Sequence, residues 1–484
     1  MQKVISVSHA KSMDEEFAKN APLKVLIDRA GFGVAQASIK ILGSCYGKKV
    51  IIVAGPGNNG EDGKVAAYHL KKRGCKVTVL SLDQVSGFGE FDCDLVVDAA
   101  FGTGLKREYV SPSVQSKVPI LAVDIPSGLD GETGNAYSHA VRADETLTFQ
   151  AMKVGQLIGD GPSYAGKIRT YDIGLEIGES EYLLAEDRDT LRLFKPLDRD
   201  HHKWKSACLI IAGSRGMDGS AKLSCSAALR SGAGMVRHIS PNGSPVDMGE
   251  VVSLPGEGNW SELAISESER CCVVGIGPGI GLDQETLRKA LEVIDEVEVP
   301  VIVDADALAV VEKFPNALAI LERRRELNRE TVLTPHLGEF KKFIEENNAL
   351  DIFNSLLHES ERLSSTILLK GATTTVVDSK HYLDNPERFK RAVFVQSGTS
   401  RLATAGSGDV LFGLICGFLA HQFASPNPLT VIETVALSAQ FHGYLSRLFD
   451  SEGLIASDLV TLIPGAFVSL MREFAGGYED KREL

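Results

Sequence analysis

The sequence predicts an α/β protein of two domains, each built on a mostly parallel sheet. Three observations carry that expectation. Short β-branched runs alternate with helical patterns in both halves, glycine-rich motifs fall where those runs end, and a stretch at 174–205 between the halves loses its periodicity. At 484 residues the chain is longer than one hydrophobic core usually organises, so domains at 1–190 and 191–484 are expected.

In the first half, residues 50–54, 77–80, 95–98, 120–123 and 146–149 read as strands, and 63–73 reads as a helix. Buried parallel strands joined by crossover helices make a doubly wound sheet, whose ligand binds outside the strands' carboxyl ends. The boundary stretch, GLEIGESEYLLAEDRDTLRLFKPLDRDHHKWK, is charged and interrupted by Pro196. Alternation resumes with strands at 208–212, 271–275, 300–304, 331–334, 366–370 and 374–377, and with a small-residue helix at 221–231. The last third is expected to be mostly helical and to include an apolar helix at 410–419.

Composition excludes several classes. With 44% apolar and 24% charged residues the chain is an ordinary globular protein, and its net charge of −13 disfavours nucleic-acid and anionic-membrane partners, which need a basic surface. No apolar run approaches the ~20 residues of a membrane span, and the first residues lack the apolar core of a signal peptide, so a cytoplasmic protein is expected. The eight cysteines include no CxxC pair, and Cys271 and Cys272 would face opposite sides of a strand; zinc and structural disulfides are not expected.

Two motifs carry chemistry. In ATAGSGDV (403–410), Gly406 and Gly408 allow a tight turn that aims helix-opening amides at a transferring phosphate, and Asp409 is placed to take a proton from a substrate hydroxyl. Alone, this motif serves equally well as a Ser/Asp helix cap behind a glycine turn. GPGNNGEDG (55–63) follows a strand and opens a helix, a setting that can cradle a pyrophosphate, although it is neither GxGxxG nor a Walker loop.

Further motifs give a resemblance. GSRGMDGSAKLSCSAALRSGAG (213–234), GIGPGIG (275–281), VDADAL (303–308), LTPHLGE (333–339) and LLKGATT (368–374), with ATAGSGDV behind them, resemble in order and spacing the ADP/ATP-dependent NAD(P)H-hydrate dehydratases of the ribokinase-like superfamily. GPGNNGEDG, VDAAFGTGL (97–105) and VDIPSGLDGETG (123–134) resemble the NAD(P)H-hydrate epimerases. Together they resemble the bifunctional NAD(P)H-hydrate repair enzymes. The fold implied is an N-terminal Rossmann-like doubly wound sheet and a C-terminal ribokinase-like α/β/α domain. The activity implied is epimerisation of R and S NAD(P)HX, with nucleotide-dependent dehydration of the S form to NAD(P)H.

The resemblance also implies site residues. For the dehydratase, Asp409 is the base, and Ser220, Gly279, Gly281 and His336 join it against the hydrated dinucleotide. Lys370, Gly371, Ala372, Thr373, Thr374 and Gly408 lie along ADP or ATP, with magnesium. Asp304 and Asp306 could serve magnesium, but they are read as supports of a strand end. For the epimerase, Asp124 is the acid/base. Asn58, Asn59, Gly60, Glu61 and Asp62, with Gly102, Thr103, Gly104, Leu105, Lys106, Arg107 and Glu108, line the substrate. Asn59, Asp98 and Ser127 gather potassium, for which oxygen ligands suit. ADP is expected over ATP, the substrates are NADHX and NADPHX, and a homo-oligomer is expected.

Taken singly, several residues keep plainer readings: Lys370 and Lys153 as solvated charges, His336 as a structural histidine, and GPGIG as a mere turn. Five places depart from the family pattern. Glu61 replaces a glycine at a position expected to need positive φ, Leu337 replaces a proline, Ser220 an alanine, HKWKSA (202–207) lacks the family's glycines, and Arg401 lies in an altered loop, GTSRL (398–402). The rival reading is a ribokinase-like kinase of another small alcohol with a non-catalytic, partner-binding N-terminal domain.

Overall fold

The computed structural model describes residues 1–85, 91–105, 109, 117–256, 258–344, 351–378 and 391–474. The expected contacts Lys106, Arg107 and Glu108 lie outside these residues. The chain divides into two compact units, Lys3–Tyr182 and Met1–Gln2 with Leu183–Leu484. The division falls inside the aperiodic charged stretch.

In the Lys3–Tyr182 unit, six parallel strands lie in the order Lys76–Ser81, Lys49–Ala54, Leu95–Ala99, Ile120–Val123, Glu145–Phe149, Lys167–Tyr171. Leu95–Ala99 is buried throughout, apolar except for Asp98, which is buried with it. Winding reverses between Lys49–Ala54 and Leu95–Ala99, and a doubly wound sheet opens its ligand crevice at such a reversal. GPGNNGEDG begins just past the end of the first of these strands. Its helix, Asn58–Lys72, starts five residues earlier than the sequence suggests, because Gly57 ends the extended chain.

That helix packs on Lys24–Leu42 so closely that a Cβ on Gly31 would lie 2.5 Å from Val65 Cβ. A short strand, Gln2–Ile5, pairs in parallel with Met152–Lys153 through Val4 and Ile5. The helix Val7–Asn20 follows it, capped by Ser6, whose hydroxyl accepts from His9 N–H.

The second unit holds a sheet in the order Val251–Leu254, Met235–Ile239, Ala207–Ile211, Val273–Ile276, Val301–Val303, Thr331–Leu333, Thr366–Leu369, Thr374–Val377, Ala392–Val395. The first seven are parallel and the last two antiparallel. Winding here reverses between Ala207–Ile211 and Val273–Ile276. Cys271 and Cys272 precede the latter strand rather than lying on it, so they have no opposed strand faces. The strands expected at 366–370 and 374–377 are present as 366–369 and 374–377, and one further strand, not expected in the last third, lies at 392–395.

The apolar helix Ser407–Phe423 is buried almost throughout and packs against Asp218–Arg230. A Cβ on Gly413 would lie 2.2 Å from Ser224 O, and one on Gly417 would lie 2.0 Å from Ser231 Oγ. Two glycines four apart therefore let this pair approach at backbone distance. No helix among the described residues is long and apolar enough to cross a membrane.

Candidate functional sites

In the Lys3–Tyr182 unit a cavity of about 710 Å³ opens at the winding reversal. Asn58, Asn59, Asp62, Gly102, Thr103, Gly104, Leu105 and Asp124 line it, so most of the expected epimerase contacts come together. The glycine loop could not be built from other residues. A Cβ on Gly55 would meet Ala100 O at 1.7 Å, and one on Gly60 would meet Gly55 O at 1.9 Å. Gly57 stands at the N-cap of Asn58–Lys72 with no capping side chain, leaving the first amides to a ligand.

Glu61 does not have the backbone expected of it. It lies in the first helical turn without positive φ, and its carboxylate accepts from Lys64 Nζ at 2.7 Å. A right-handed helical position tolerates any side chain, so the replaced glycine carries no strain penalty.

Asp124 does adopt the left-handed region, with φ 64. It follows the last residue of Ile120–Val123, and its Oδ1 accepts from Phe149 N–H at 3.1 Å and Thr148 Oγ1 at 3.2 Å. Lys153 Nζ donates to the same oxygen, and also to Thr148 Oγ1 and Phe149 O at 3.1 Å each. The Lys153 side chain is 3% exposed. The solvated reading of Lys153 is thereby corrected: a two-residue strand carries it inward, where all three of its donors find acceptors. The sequence alone favours the solvated reading, because the partner of Lys153 lies 29 positions away.

Asp98 and Ser127 sit side by side behind the cavity, and Asn59 reaches the same corner. Ser127 Oγ donates to Asp98 Oδ1 at 2.7 Å, Ser127 N–H donates to Oδ2 at 2.8 Å, and Phe101 N–H donates to Ser127 Oγ at 2.9 Å. The Asn59 amide nitrogen donates to the carbonyls of Phe101 at 3.0 Å and Val123 at 2.7 Å. Burial pushes the Asp98 carboxyl up to about 6 against the lowering effect of these hydrogen bonds. A fully buried carboxylate without a basic partner is the kind of group a hard cation would offset.

In the second unit, the helix Ser407–Phe423 begins at Gly406, in the left-handed region at φ 85, with no capping side chain. Neither Ser407 nor Asp409 caps it, so the plain helix-cap reading of ATAGSGDV fails. Asp409 hydrogen-bonds Ser220, and its carboxyl is raised above the usual range, first by burial and then by Asp304, with Ser220 and Lys370 opposing. Ser224 Oγ donates to Asp409 O at 3.2 Å. A Cβ on Gly279 would lie 3.4 Å from Ser220 Cβ, and Gly281 N–H donates to Asp306 Oδ2 at 2.9 Å.

Lys370, at the end of Thr366–Leu369, donates to Asp304 Oδ1 at 2.6 Å with its side chain 23% exposed. It is a tethered cation rather than a freely solvated one. A Cβ on Gly408 would stand 3.8 Å from Lys370 Nζ, so this lysine faces the helix opening. Ser220, Gly279, Gly281, Lys370, Gly408 and Asp409 thus converge. Gly371, Ala372, Thr373 and Thr374 form the turn beyond Lys370, where Thr373 Oγ1 accepts from Gln396 Nε2 at 3.1 Å.

The His336 backbone bridges to Lys370, but its ring is turned to its own helix, Leu337–Phe340. Nδ1 accepts from Gly338 N–H at 2.9 Å and Glu339 N–H at 3.2 Å. Arg401 is held away by Phe449 O, to which it donates at 2.6 Å. Sequence reasoning missed His442, whose Nε2 lies 3.3 Å from Ser407 Oγ under the helix opening. Burial and then Lys370 press its ring down to about 4.

Residues 208–464 match the family model described as NAD(P)H-hydrate dehydratase, and 23–89 with 81–155 match the YjeF-related protein N-terminus. The chain is 31% identical to the bifunctional NAD(P)H-hydrate repair enzyme of Thermofilum pendens, across 98% of this chain and 97% of that one. It is 32% identical to the enzyme of that name in Escherichia coli, across 90% and 88%. Among solved structures it is similar to the ADP/ATP-dependent NAD(P)H-hydrate dehydratase of Bacillus subtilis co-crystallised with ATP and magnesium, at 22% identity and TM-score 0.48, over 60% of this chain and 98% of that one.

Proposed function

Because this chain belongs to the bifunctional NAD(P)H-hydrate repair enzymes, which join an epimerase to an ADP/ATP-dependent dehydratase, we propose that residues 1–190 interconvert R and S NAD(P)HX and that 191–484 dehydrate the S form. In the hydrate, a hydroxyl sits on a carbon beside the ring nitrogen, and hydroxide is a poor leaving group. Phosphorylation converts it into a phosphate ester that the nitrogen lone pair can expel as inorganic phosphate, leaving an iminium; loss of a proton from the adjacent ring carbon, its C–H pair forming the C=C bond while the C=N pair returns to nitrogen, restores the dihydropyridine.

Asp409 is the base that takes the hydroxyl proton. Burial raises its proton affinity, and Ser220 holds it in place. The uncapped amides at Gly408 and Asp409 receive the transferring phosphoryl group, with Lys370 offsetting its charge. Gly371, Ala372, Thr373 and Thr374 lie along the adenine nucleotide, and Gly279, Gly281 and His336 lie against the dinucleotide, His336 through its backbone while its ring caps a helix. ADP is the expected donor, giving AMP. Among the described residues no cluster of three His, Cys, Asp or Glu could hold a metal, so magnesium would be carried on the nucleotide's phosphates. The observation that carries this reading is a half-buried carboxyl placed beside an uncapped helix opening.

In the epimerase half, Asp124 takes the proton of water as it adds to the planar iminium, and Lys153, which donates to that carboxylate, fixes its position. Asn58, Asn59, Gly60, Glu61 and Asp62, with Gly102, Thr103, Gly104 and Leu105, line NADHX or NADPHX, with Lys106, Arg107 and Glu108 continuing that wall. Potassium would be held by Asn59, Asp98 and Ser127, its charge offsetting the buried Asp98 and the substrate pyrophosphate.

The test is stoichiometry with the purified full chain. S-NADHX plus ADP should yield one inorganic phosphate per reduced nicotinamide restored. Accumulation of a stable phosphorylated hydrate would instead make the C-terminal half a simple kinase.

A further inference from the structure

We propose that Asp62 is the proton donor of the epimerase reaction, working opposite Asp124. The inference rests on the reading of the 710 Å³ cavity as the epimerase site and adds a role to it. Asp62 is 5% exposed, lines that cavity from just past the first turn of Asn58–Lys72, and has no hydrogen-bond partner among the described residues. A carboxyl buried without a partner is costly unless it is protonated or serves a ligand.

Its surroundings decide its charge. Facing it are Asp124, Asp14 from the helix Val7–Asn20, and Glu61 on its own helix; all three act to keep its proton on. The cations nearby are already engaged: Lys153 with Asp124, Lys64 with Glu61, and Lys11 with Glu15 at 3.8 Å on the surface. Burial and these three carboxyls push the Asp62 carboxyl up to about 9, whereas Asp124 carries a lysine on its oxygen. Two carboxyls of one cavity thus differ in surroundings, one held by a lysine and the other facing only carboxyls, and unlike surroundings are how a single site obtains both an acid and a base.

The step balances as follows. The C–O bond of the hydrate breaks with its electron pair moving to oxygen. That oxygen takes the Asp62 proton and leaves as water, while the ring-nitrogen lone pair forms the C=N bond of a planar iminium. Water adds to the other face, its oxygen forming the new C–O bond, the C=N pair returning to nitrogen and its spare proton going to Asp124. The reverse direction exchanges the two roles, as an enzyme running R to S and S to R requires. Loss of the hydroxyl as hydroxide, without this proton, would leave an anion stranded among carboxylates.

The experiment follows R-to-S conversion of NADHX by the full chain without nucleotide, across pH, for wild type, Asp62→Asn, Asp62→Glu and Asp124→Asn. Expected is a loss of ~10² to 10⁴ in kcat for Asp62→Asn with KM changed a few-fold at most, partial recovery in Asp62→Glu, and a wild-type rate that falls as pH rises through the alkaline range. Dehydration of S-NADHX with ADP, measured on the same samples, should be unchanged, and a retained calorimetric transition of the Lys3–Tyr182 unit certifies that the epimerase half is folded. Asp62→Asn within a few-fold of wild type, beside an inactive Asp124→Asn, would overturn the role of Asp62 and leave the cavity as the site. If both variants keep full activity, the reading of the cavity itself fails. Should Asp62→Asn not fold, a wild-type rate without an alkaline decline overturns the proposal.

Discussion

The Asp124–Lys153 pair gives the sharpest energetic expectation. Asp124→Ala would leave an ammonium 3% exposed, with only Thr148 Oγ1 and Phe149 O as acceptors, both at 3.1 Å. Breaking one side of a buried pair typically costs about 3–5 kcal/mol, because the surviving charge stays desolvated. For a unit of this size each kcal/mol lowers Tm by about 2–4 °C, so its transition should fall by roughly 6–20 °C. Lys153→Met exposes the complementary loss, although Asp124 then keeps the Phe149 and Thr148 hydrogen bonds and 15% exposure, so it should lie near the lower end. The double variant Asp124→Ala with Lys153→Met removes both charges and should recover at least about 2 kcal/mol relative to the sum of the singles. Scanning calorimetry of the full chain, resolving the transition of Lys3–Tyr182, reads all of these. Additive singles, or an Asp124→Ala shift under about 2 °C, would refute the buried-pair argument.

Four further outcomes are expected. Asp409→Asn should lower nucleotide-dependent dehydration by ~10² to 10⁴ while calorimetric titration with ADP stays within a few-fold, since a base acts on the hydroxyl rather than on the nucleotide. Lys370→Ala should raise the KM for nucleotide more than that for the hydrate, and should also leave Asp304 without its partner at 2.6 Å. His442 has its folded pKa depressed to about 4 from 6.5, so the unfolded chain binds more protons between those values; stability should fall as pH drops through that window, and His442→Gln should flatten the slope in denaturant titrations. Potassium should raise the Tm of the Lys3–Tyr182 unit over sodium at equal ionic strength, and Asp98→Ala should abolish the difference.

The sheets were legible because buried parallel strands write themselves as apolar runs, and each glycine motif sits where such a run ends. Other elements left weaker marks. The helix Val7–Asn20 buries only Met13, and Lys24–Leu42 presents a face of Ala, Gly and Ser, so neither shows a broad apolar stripe. Residues such as Asp409 and Asp124 were visible through motifs that fix the local backbone. Lys153 and His442 were not, since a lone lysine or histidine gains meaning only from partners brought by tertiary structure: Asp124 for one, Ser407 for the other. Glu61 shows the opposite failure. A departure from the family pattern suggested strain, yet the helix begins early enough to absorb it.

The central claim, two separable activities at two carboxyl-bearing sites, is tested most directly by one progress curve. An R/S mixture of NADHX with ADP and the full chain is followed by the absorbance of the reduced nicotinamide, for wild type, Asp124→Asn and Asp409→Asn, over times short against spontaneous epimerisation. Wild type should restore the whole mixture, Asp124→Asn should stop at the S share, and Asp409→Asn should restore almost none while still equilibrating R with S. Complete restoration by Asp124→Asn, or rapid restoration by Asp409→Asn, would contradict the account.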